Sequence, residues 1–337
     1  IILFDDLELP KIKKRSTAEE VLKKLKEYHE LPKLILEYRK YNKLKNTYLD
    51  SLSELIENST GRVHTTFNQT IASTGRLSST KPNFQNIPIR TLEGREIRKA
   101  FIAKNNGWKI LSADYSQVEL RVMAHFSQDK ALMDAFANSE DIHSRTASLV
   151  FNVPLNMVSS EMRRTAKVVN FGIMYGAGAF RMSQELGILR TEAVAIIENY
   201  FKQYPGIQDY INSTLEKARN EKYVETILGR KRPIWDADSA NGLRRQAAER
   251  MAINMPIQGS AAEMIKLAMT NIHQGIIEQK LESKMVLQIH DELLFEFPEE
   301  EEEALLELVI NKMENAMKLS VPIVVDYGIG LSWYEAH

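Results

Sequence analysis

The chain of 337 residues contains no cysteine, which excludes disulfides and thiolate metal sites and is compatible with a cytosolic setting. It has no apolar run near 18 residues and no signal peptide, so neither a membrane span nor secretion is expected. The run Ile1-Ile2-Leu3-Phe4 is too short for either and reads as the middle of a fold, so the chain is expected to be a fragment of a longer protein. A large charge of one sign is also missing. The formal net charge is −1, without the basic balance that often marks a nucleic-acid-binding domain. There is no internal repeat and no low-complexity segment. What remains is globular in composition, with 44% hydrophobic and 26% charged residues, and long enough for two or three subdomains.

The near-neutral total conceals segregation. Glu299 to Glu303 form an acidic run that suits a solvated helix start, whereas Arg163-Arg164-Lys167, Arg230-Lys231-Arg232 and Arg244-Arg245-Arg250 are local basic clusters. A local basic surface binds phosphate even when the total charge is neutral.

The sequence is organised around Ser160 to Gly176. Arg163, Lys167, Phe171 and Tyr175 recur every fourth residue, and in a helix each such step drifts only about 40°, so they form one winding stripe. Ser159 or Ser160 suits the N-cap, Glu161 the first turn, and Gly176 and Gly178 the end. Two cations followed by two aromatics fit a polyphosphate at one end and a flat ring at the other. Alone, the stripe fits equally a solvated basic face that runs into a buried aromatic end.

Around it, Ser16 to about Ile56 reads as helix, with Ser16-Thr17-Ala18-Glu19 as a capping box and a break at Pro32. Val63 to Thr70 has strand character, and Thr74 to Pro88 is a polar loop whose Arg, amide and hydroxyl groups suit a nucleic-acid minor groove. Trp108 to Ala113 is a strand ending at Asp114, and Tyr115 to His125 is helical. Asp129 to Leu149 and Val158 to Tyr223 are mostly helical. Gly229 to Gly242 is irregular, and Leu243–Met255 and Ser260–Ile277 are helices parted by Met255-Pro256-Ile257-Gln258-Gly259. Met285–Ile289 and Leu293–Phe297 form a hairpin around His290-Asp291-Glu292, followed by an amphipathic helix, Glu299–Lys318, and a last strand, Val321–Tyr327. This order predicts an α+β fold whose antiparallel sheet is built from both sides of a long helical insertion.

Asp114 at a strand end and Asp291 in a turn are the natural pair of hard-oxygen ligands. Mg²⁺ takes a few carboxylates and completes its shell with water and substrate phosphates. Two such ions about 3.5–4 Å apart activate an attacking hydroxyl and stabilise a leaving pyrophosphate. Arg163 and Lys167 would then clamp the phosphates. A lone Asp in a turn is ordinary turn chemistry, but the combination points to phosphoryl transfer on nucleic acid.

Asp114-Tyr115-Ser116-Gln117-Val118-Glu119-Leu120-Arg121 resembles motif A of family A DNA polymerases, the bacterial DNA polymerase I group. Arg163…Lys167…Phe171-Gly172…Tyr175-Gly176 resembles motif B, and Gln288-Ile289-His290-Asp291-Glu292 resembles motif C. Thr74-Gly75-Arg76-Leu77-Ser78-Ser79 and Gln85-Asn86-Ile87-Pro88 resemble the segment before motif A.

The resemblance covers essentially the whole chain and implies a right-hand architecture: a partial helical thumb at 1–60, palm at 61–130, helical fingers at 131–240 and palm again at 241–337. It implies template-directed addition of dNTPs to a primer 3′ end, with Asp114, Asp291, Glu292 and Lys167 as catalytic residues. Two Mg²⁺ ions, replaceable by Mn²⁺, would sit on Asp114, Asp291 and Tyr115. The incoming dNTP would meet Arg163, Lys167, Phe171, Tyr175, His143, Glu119 and Gln117. Arg76, Asn83, Gln85, Asn86, Arg250, Asn254, Gln258 and His290 would line the primer-template minor groove.

The family pattern further implies a monomeric, cytoplasmic, nucleoid-associated enzyme without a membrane partner. Against it, the sequence starts inside what should be the thumb and carries no exonuclease region, so no proofreading is expected. Pro233 to Asp238 departs from the usual arginine-tyrosine run. Two other readings are a single-subunit RNA polymerase-like enzyme, opposed by the Glu119 and Phe171 pair, and a catalytically silent DNA-binding scaffold, opposed by the joint presence of Asp114, Asp291, Arg163 and Lys167.

Overall fold

The computed structural model describes residues 2–12, 15–89 and 91–337; Ile1 of the N-terminal apolar run lies outside them. Two compact units form, one from Ile1–Thr66 with Ser79–Phe101, the other from Phe67–Ser78 with Ile102–His337. Among the described residues no helix is long and apolar enough to cross a membrane.

The first unit is helical at its start. Helix α1 (Glu19–Leu25) buries Val21, Leu22 and Leu25 against Leu3, Phe4 and Leu9, and α2 spans Glu30–Leu44. Two sequence expectations need correction here. Ser16 does not cap α1, whose N-cap is Ala18 without a side-chain bond; the Ser16 hydroxyl accepts from the Ala18 N–H instead, at 3.1 Å. Nor does Pro32 separate the helices. The break falls before His29, whose Nδ1 accepts from the Leu31 N–H at 3.0 Å, and Pro32 sits in the first turn of α2, where no amide proton is needed.

The second unit is α+β. Its four-stranded antiparallel sheet joins β1 (Trp108–Tyr115) to three later strands, and the insertion between them is helical. The insertion runs through α3 (Val118–Ser127), α4 (Lys130–Ala137), α5 (Ile142–Phe151), α6 (Ser160–Met174), α7 (Ala179–Leu186), α8 (Arg190–Gln203) and α9 (Pro205–Glu221). A hairpin follows, β2 (Tyr223–Glu225) with β3 (Lys231–Pro233), then α10 (Gly242–Glu278), β4 (Lys284–Ile289), β5 (Glu292–Pro298), α11 (Glu302–Glu314) and β6 (Val325–Gly330). The sheet order is β6-β1-β5-β4.

Side chains alternate across a strand, so the register decides what each face carries. Leu111, Ala113 and Tyr115 of β1 share a face with Leu293 and Phe295 of β5, and this face is buried in one core with the helices. Ser112 and Asp114 point the other way, beside Leu294 and Glu292. The end of the chain covers part of that second face. It lies so close to β6 that a Cβ on Gly328 would come within 2.4 Å of the Ala336 carbonyl oxygen. The last strand was expected at Val321–Tyr327 and is observed three to four residues later, because Val325 is the first residue to pair with Tyr115.

Two further differences concern α10 and the segment before it. Gly229–Gly242 was expected to be irregular, yet its first part closes the β2–β3 hairpin, with Val224 and Ile234 packed on Ala248, Ala252 and Met255 of α10. The expected break at Met255–Gly259 does not occur: α10 is continuous, with Pro256 inside it. An interior proline costs about 3 kcal/mol. Burying several full-sized apolar side chains, at about 1.5–3 kcal/mol each, offsets it, and Ile253, Met255 and Ile257 are all buried. Ser260 donates to the Pro256 carbonyl at 2.6 Å and accepts from the Ile227 N–H at 3.0 Å, tying the hairpin to the helix.

Gly259 lies in this contact. A Cβ there would stand 2.5 Å from Thr226 Cγ2 and 3.3 Å from the Thr74 carbonyl oxygen. Helix propensity alone would make Gly259→Ala stabilising by up to about 1 kcal/mol. Overpacking against a stiff, buried β-branched side chain outweighs that, and a loss of about 1–3 kcal/mol is expected in urea unfolding. A neutral or stabilised variant would contradict this packing.

Candidate active site

Asp114 is the penultimate residue of β1, on the face turned away from the helical core. Antiparallel pairing sets Glu292 on one side of it and Asp326 on the other. Asp291 follows His290, whose left-handed backbone (φ 55°) makes the tight turn between β4 and β5. The Asp291 carbonyl accepts from the Tyr115 N–H at 3.2 Å, which stitches that turn to the end of β1.

Burial, followed by the nearby Asp291, Glu292 and Asp326, pushes the Asp114 carboxyl up to about 8. Burial also pushes Asp291 up, to about 6; its own backbone bond and Arg76 oppose this, and Glu119 and Glu292 reinforce it. Asp114 Oδ1 is buried without a hydrogen-bond partner.

Two destabilised carboxylates, one with an orphaned oxygen, are the donor set that a hard divalent cation satisfies. Among the described residues no group of three or more His, Cys, Asp or Glu could hold a metal by itself. The Tyr115 phenol is turned into the core and donates to the Met313 carbonyl at 2.8 Å, so only the Tyr115 backbone carbonyl is left as a ligand.

Glu292 has different surroundings. Ser112 Oγ and Trp333 Nε1 donate to its Oε1 at 2.7 and 2.8 Å, and His337 Nδ1 lies 3.3 Å from the same oxygen. Burial alone would raise this carboxyl, but His337, Ser112 and Trp333 hold it below the ordinary glutamate value.

Glu119, in the first turn of α3, is 7% exposed and fully engaged. Arg76 donates to Oε1 at 2.6 Å and the Tyr175 hydroxyl donates to Oε2 at 2.5 Å. Burial and then the Glu119 charge push the Tyr175 phenol well above its usual value. Gln117 occupies the N-cap of α3 in a left-handed conformation, with its Oε1 buried and unpartnered.

On α6 the N-cap is Ser159, whose hydroxyl accepts from the Met162 N–H at 3.1 Å. Arg163 and Lys167 are exposed, whereas Phe171 and Tyr175 are half-buried with stacked rings 6.2 Å apart. Arg163 is held by both oxygens of Asp141, at 3.1 and 2.7 Å. Burial would raise the Asp141 carboxyl, but Arg163 and the Ser144 N–H hold it well below the usual range. His143 follows on α5, its ring 5.8 Å from Phe171. Burial, helped by Lys167 and Arg163 and opposed by Asp141, pushes the imidazole down to about 4.

Arg250, Asn254 and Gln258 succeed one another at four-residue spacing on α10 and are half-buried, among neighbours that are mostly fully buried. His290 is exposed in the β4–β5 turn. Asn83, Gln85 and Asn86 belong to the other unit. There Asn83 caps a short 3₁₀ turn, Gln85 Oε1 accepts from the Ser79 N–H at 3.2 Å, and the Asn86 carbonyl accepts from the Tyr48 hydroxyl.

Sequence reasoning missed Asp141, Asn170, Asp326, Ser112, Trp333 and His337. Asp141 carried a legible signal as the helix cap before His143. The others depend on register or on packing between helices.

The sequence pattern described as DNA polymerase family A matches residues 1–335. The chain is 48% identical over 341 residues to DNA polymerase I of Bacillus caldotenax, covering 100% of this chain and 39% of that protein. It is also 48% identical over 342 residues to DNA polymerase I of Pseudomonas aeruginosa, covering 100% and 37%. With the thermostable DNA polymerase I of Thermus aquaticus it shares 48% identity over 341 residues, covering 99% and 41%. The chain thus spans about two fifths of the length of these relatives. Its fold is similar to the POL domain of Pol1 from M. smegmatis, solved in complex with DNA primer-template and dNTP. The TM-score is 0.94 at 46% identity, over 99% of this chain and 60% of that one.

The raised carboxyls give a pH signature. A folded-state pKa above the unfolded value contributes stability that is present below the unfolded pKa and lost as pH rises through the folded one. For Asp114 and Asp291 that window runs from about 4 to about 8. Metal-free protein should therefore lose thermal stability across this window, and Asp114→Asn should flatten the slope. Mg²⁺ should raise Tm more at the alkaline end, where the carboxylates need not shed protons to bind it. An equal Mg²⁺ effect at both ends, with an unchanged slope in the variant, would remove the pair as a cation site.

Proposed function

The chain belongs to DNA polymerase family A, and from that premise we propose that it carries out template-directed addition of dNTPs to a primer 3′ end with release of pyrophosphate. The observation that carries this reading is the juxtaposition of Asp114, with its unpartnered buried oxygen, and the Asp291 turn stitched to the same strand end. Asp114, Asp291 and the Tyr115 carbonyl would hold the metal. When bound, two Mg²⁺ ions, or Mn²⁺ in their place, supply the positive charge that acidifies the primer hydroxyl and stabilises the leaving pyrophosphate.

The protein's own groups do the rest. Lys167 and Arg163 grip the triphosphate, and His143, uncharged at neutral pH, adds a hydrogen bond there. Phe171 packs on the sugar and base, and Tyr175 closes the templating side. Gln117, at the left-handed start of α3, faces the nucleotide. Glu292 adds negative charge beside the pair, with Ser112 and Trp333 engaging its Oε1. Arg76, Arg250, Asn254, Gln258 and His290, with Asn83, Gln85 and Asn86, contact the primer-template minor groove.

In this reading the β6-β1-β5-β4 sheet is the palm, the helices between β1 and the β2–β3 hairpin are the fingers, and the N-terminal helices are part of the thumb. We take the protein to act as a monomer on DNA in the nucleoid.

Asp114→Ala and Asp291→Ala should each reduce Mg²⁺-dependent primer extension by several orders of magnitude. Primer-template binding should survive, since it rests on dispersed contacts. Extension near the parent rate by either variant would sink the assignment.

Glu119 supplies the sugar test. Its carboxylate and Phe171 would leave little room for a 2′-hydroxyl, and exclusion by a clash needs no matching attractive contact. Glu119→Ala should raise ribonucleotide incorporation relative to dNTP and lower the overall rate, because Arg76 and Tyr175 lose their shared partner. Unchanged selectivity would leave Glu119 as an anchor only.

A further inference from the structure

We propose that Asn170 is a positioning residue: its side-chain amide fixes the His143 imidazole in the neutral form that carries its proton on Nε2, so that the ring presents an N–H to the triphosphate. This rests on the nucleotide placement above; the tautomer itself does not.

Helices α5 and α6 bury both groups, each 2% exposed. Asn170 Nδ2 lies 3.1 Å from His143 Nδ1. An amide nitrogen only donates, so the ring nitrogen that receives it must be bare. A neutral imidazole has one proton, which is then left on Nε2.

The amide is itself held. Thr146 Oγ1 lies 3.1 Å from Asn170 Nδ2 and 3.2 Å from Asn170 Oδ1, within reach of both ends of the amide. Thr146 Oγ1 is in turn 3.1 Å from the Tyr204 hydroxyl, and both residues are almost fully buried. A chain of four buried polar groups therefore runs from Tyr204, between α8 and α9, to the histidine ring. Phe171, next to Asn170 on α6, lies against the same ring and limits its rotation.

The charged groups acting on His143 are Asp141, Lys167 and Arg163, and with burial they leave it uncharged near pH 7. An uncharged imidazole helps bind phosphate only through an N–H. With the proton on Nδ1, the Nε2 lone pair would face the phosphate oxygens and repel them. The hydrogen bond from Asn170 removes that alternative at a site where no charge on the ring would compensate for it.

The test uses the whole chain with ¹⁵N-labelled histidine. Long-range ¹H–¹⁵N spectra distinguish the two neutral forms, and His143→Gln identifies the signal. The expected result is an Nε2–H imidazole in the wild-type protein. Asn170→Asp replaces the donor by an acceptor and should move the proton to Nδ1. The same variant should raise the apparent KM for dNTP about tenfold or more, as expected for a lost hydrogen bond to a charged group, with a smaller change in kcat. An Nδ1–H imidazole in the wild-type protein overturns the proposal, and that measurement does not depend on any variant folding. A switched tautomer with an unchanged dNTP KM also overturns it, by removing the triphosphate from His143, and leaves Mg²⁺-dependent extension on Asp114 and Asp291 intact.

Discussion

The structure depends on a sheet that must carry carboxylates on one face while burying hydrocarbon on the other. Asp114 is driven upward in pKa by burial and by Asp291, Glu292 and Asp326, and Asp291 by burial with Glu119 and Glu292. They are kept together because the Tyr115 N–H holds the Asp291 carbonyl. The unfavourable charge placement is therefore carried by backbone hydrogen bonding and by the core under Leu111, Phe295 and Phe297. A site strained in this way gains from a cation beyond the partial relief that Arg76 gives Asp291.

Glu119 is the second point of convergence. It joins the loop before the sheet, the first turn of α3 and the end of α6 through two short bonds. A buried carboxylate with two donors stays well ordered, whereas removal of any one member leaves the others unsatisfied at a cost of about 1–3 kcal/mol. Substitutions at Arg76, Glu119 and Tyr175 should therefore interact in double-mutant cycles, which separates their shared term from what each contributes alone.

Much of this was legible in the sequence, for local reasons. The four-residue recurrence from Arg163 to Tyr175 and the Ser159 cap are encoded within one helix, and the strand ends at Asp114 and Asp291 are marked by turn chemistry. The misses arise where tertiary contacts override local preference. Pro256 should break a helix and does not, because its surroundings are buried. Pro32 was read as a stop although the first turn of a helix accepts it. The β2–β3 hairpin hid in a segment whose strands are three residues each. Asp326 opposite Asp114, and Trp333 on Glu292, follow from register and chain reversal, which no short window records. The role of Asn170 depends on α5 packing alongside α6, which the sequence of one helix does not record.

The bidentate pair between Arg163 and Asp141 changes what an approaching anion meets. With that guanidinium already neutralised, the resting face of α6 presents Lys167, which makes no ion pair among the described residues. A single phosphate on Lys167 would have nothing left to offer Arg163, and Asp141 would keep its place. Under the proposed function, a triphosphate held on Lys167 would bring further oxygens to Arg163 at high effective concentration and exchange one ion pair for another within the same encounter. If α6 takes the triphosphate as proposed, the carboxylate would make the helix a filter for valency, one that responds to the number of linked phosphates more than to the total charge in solution.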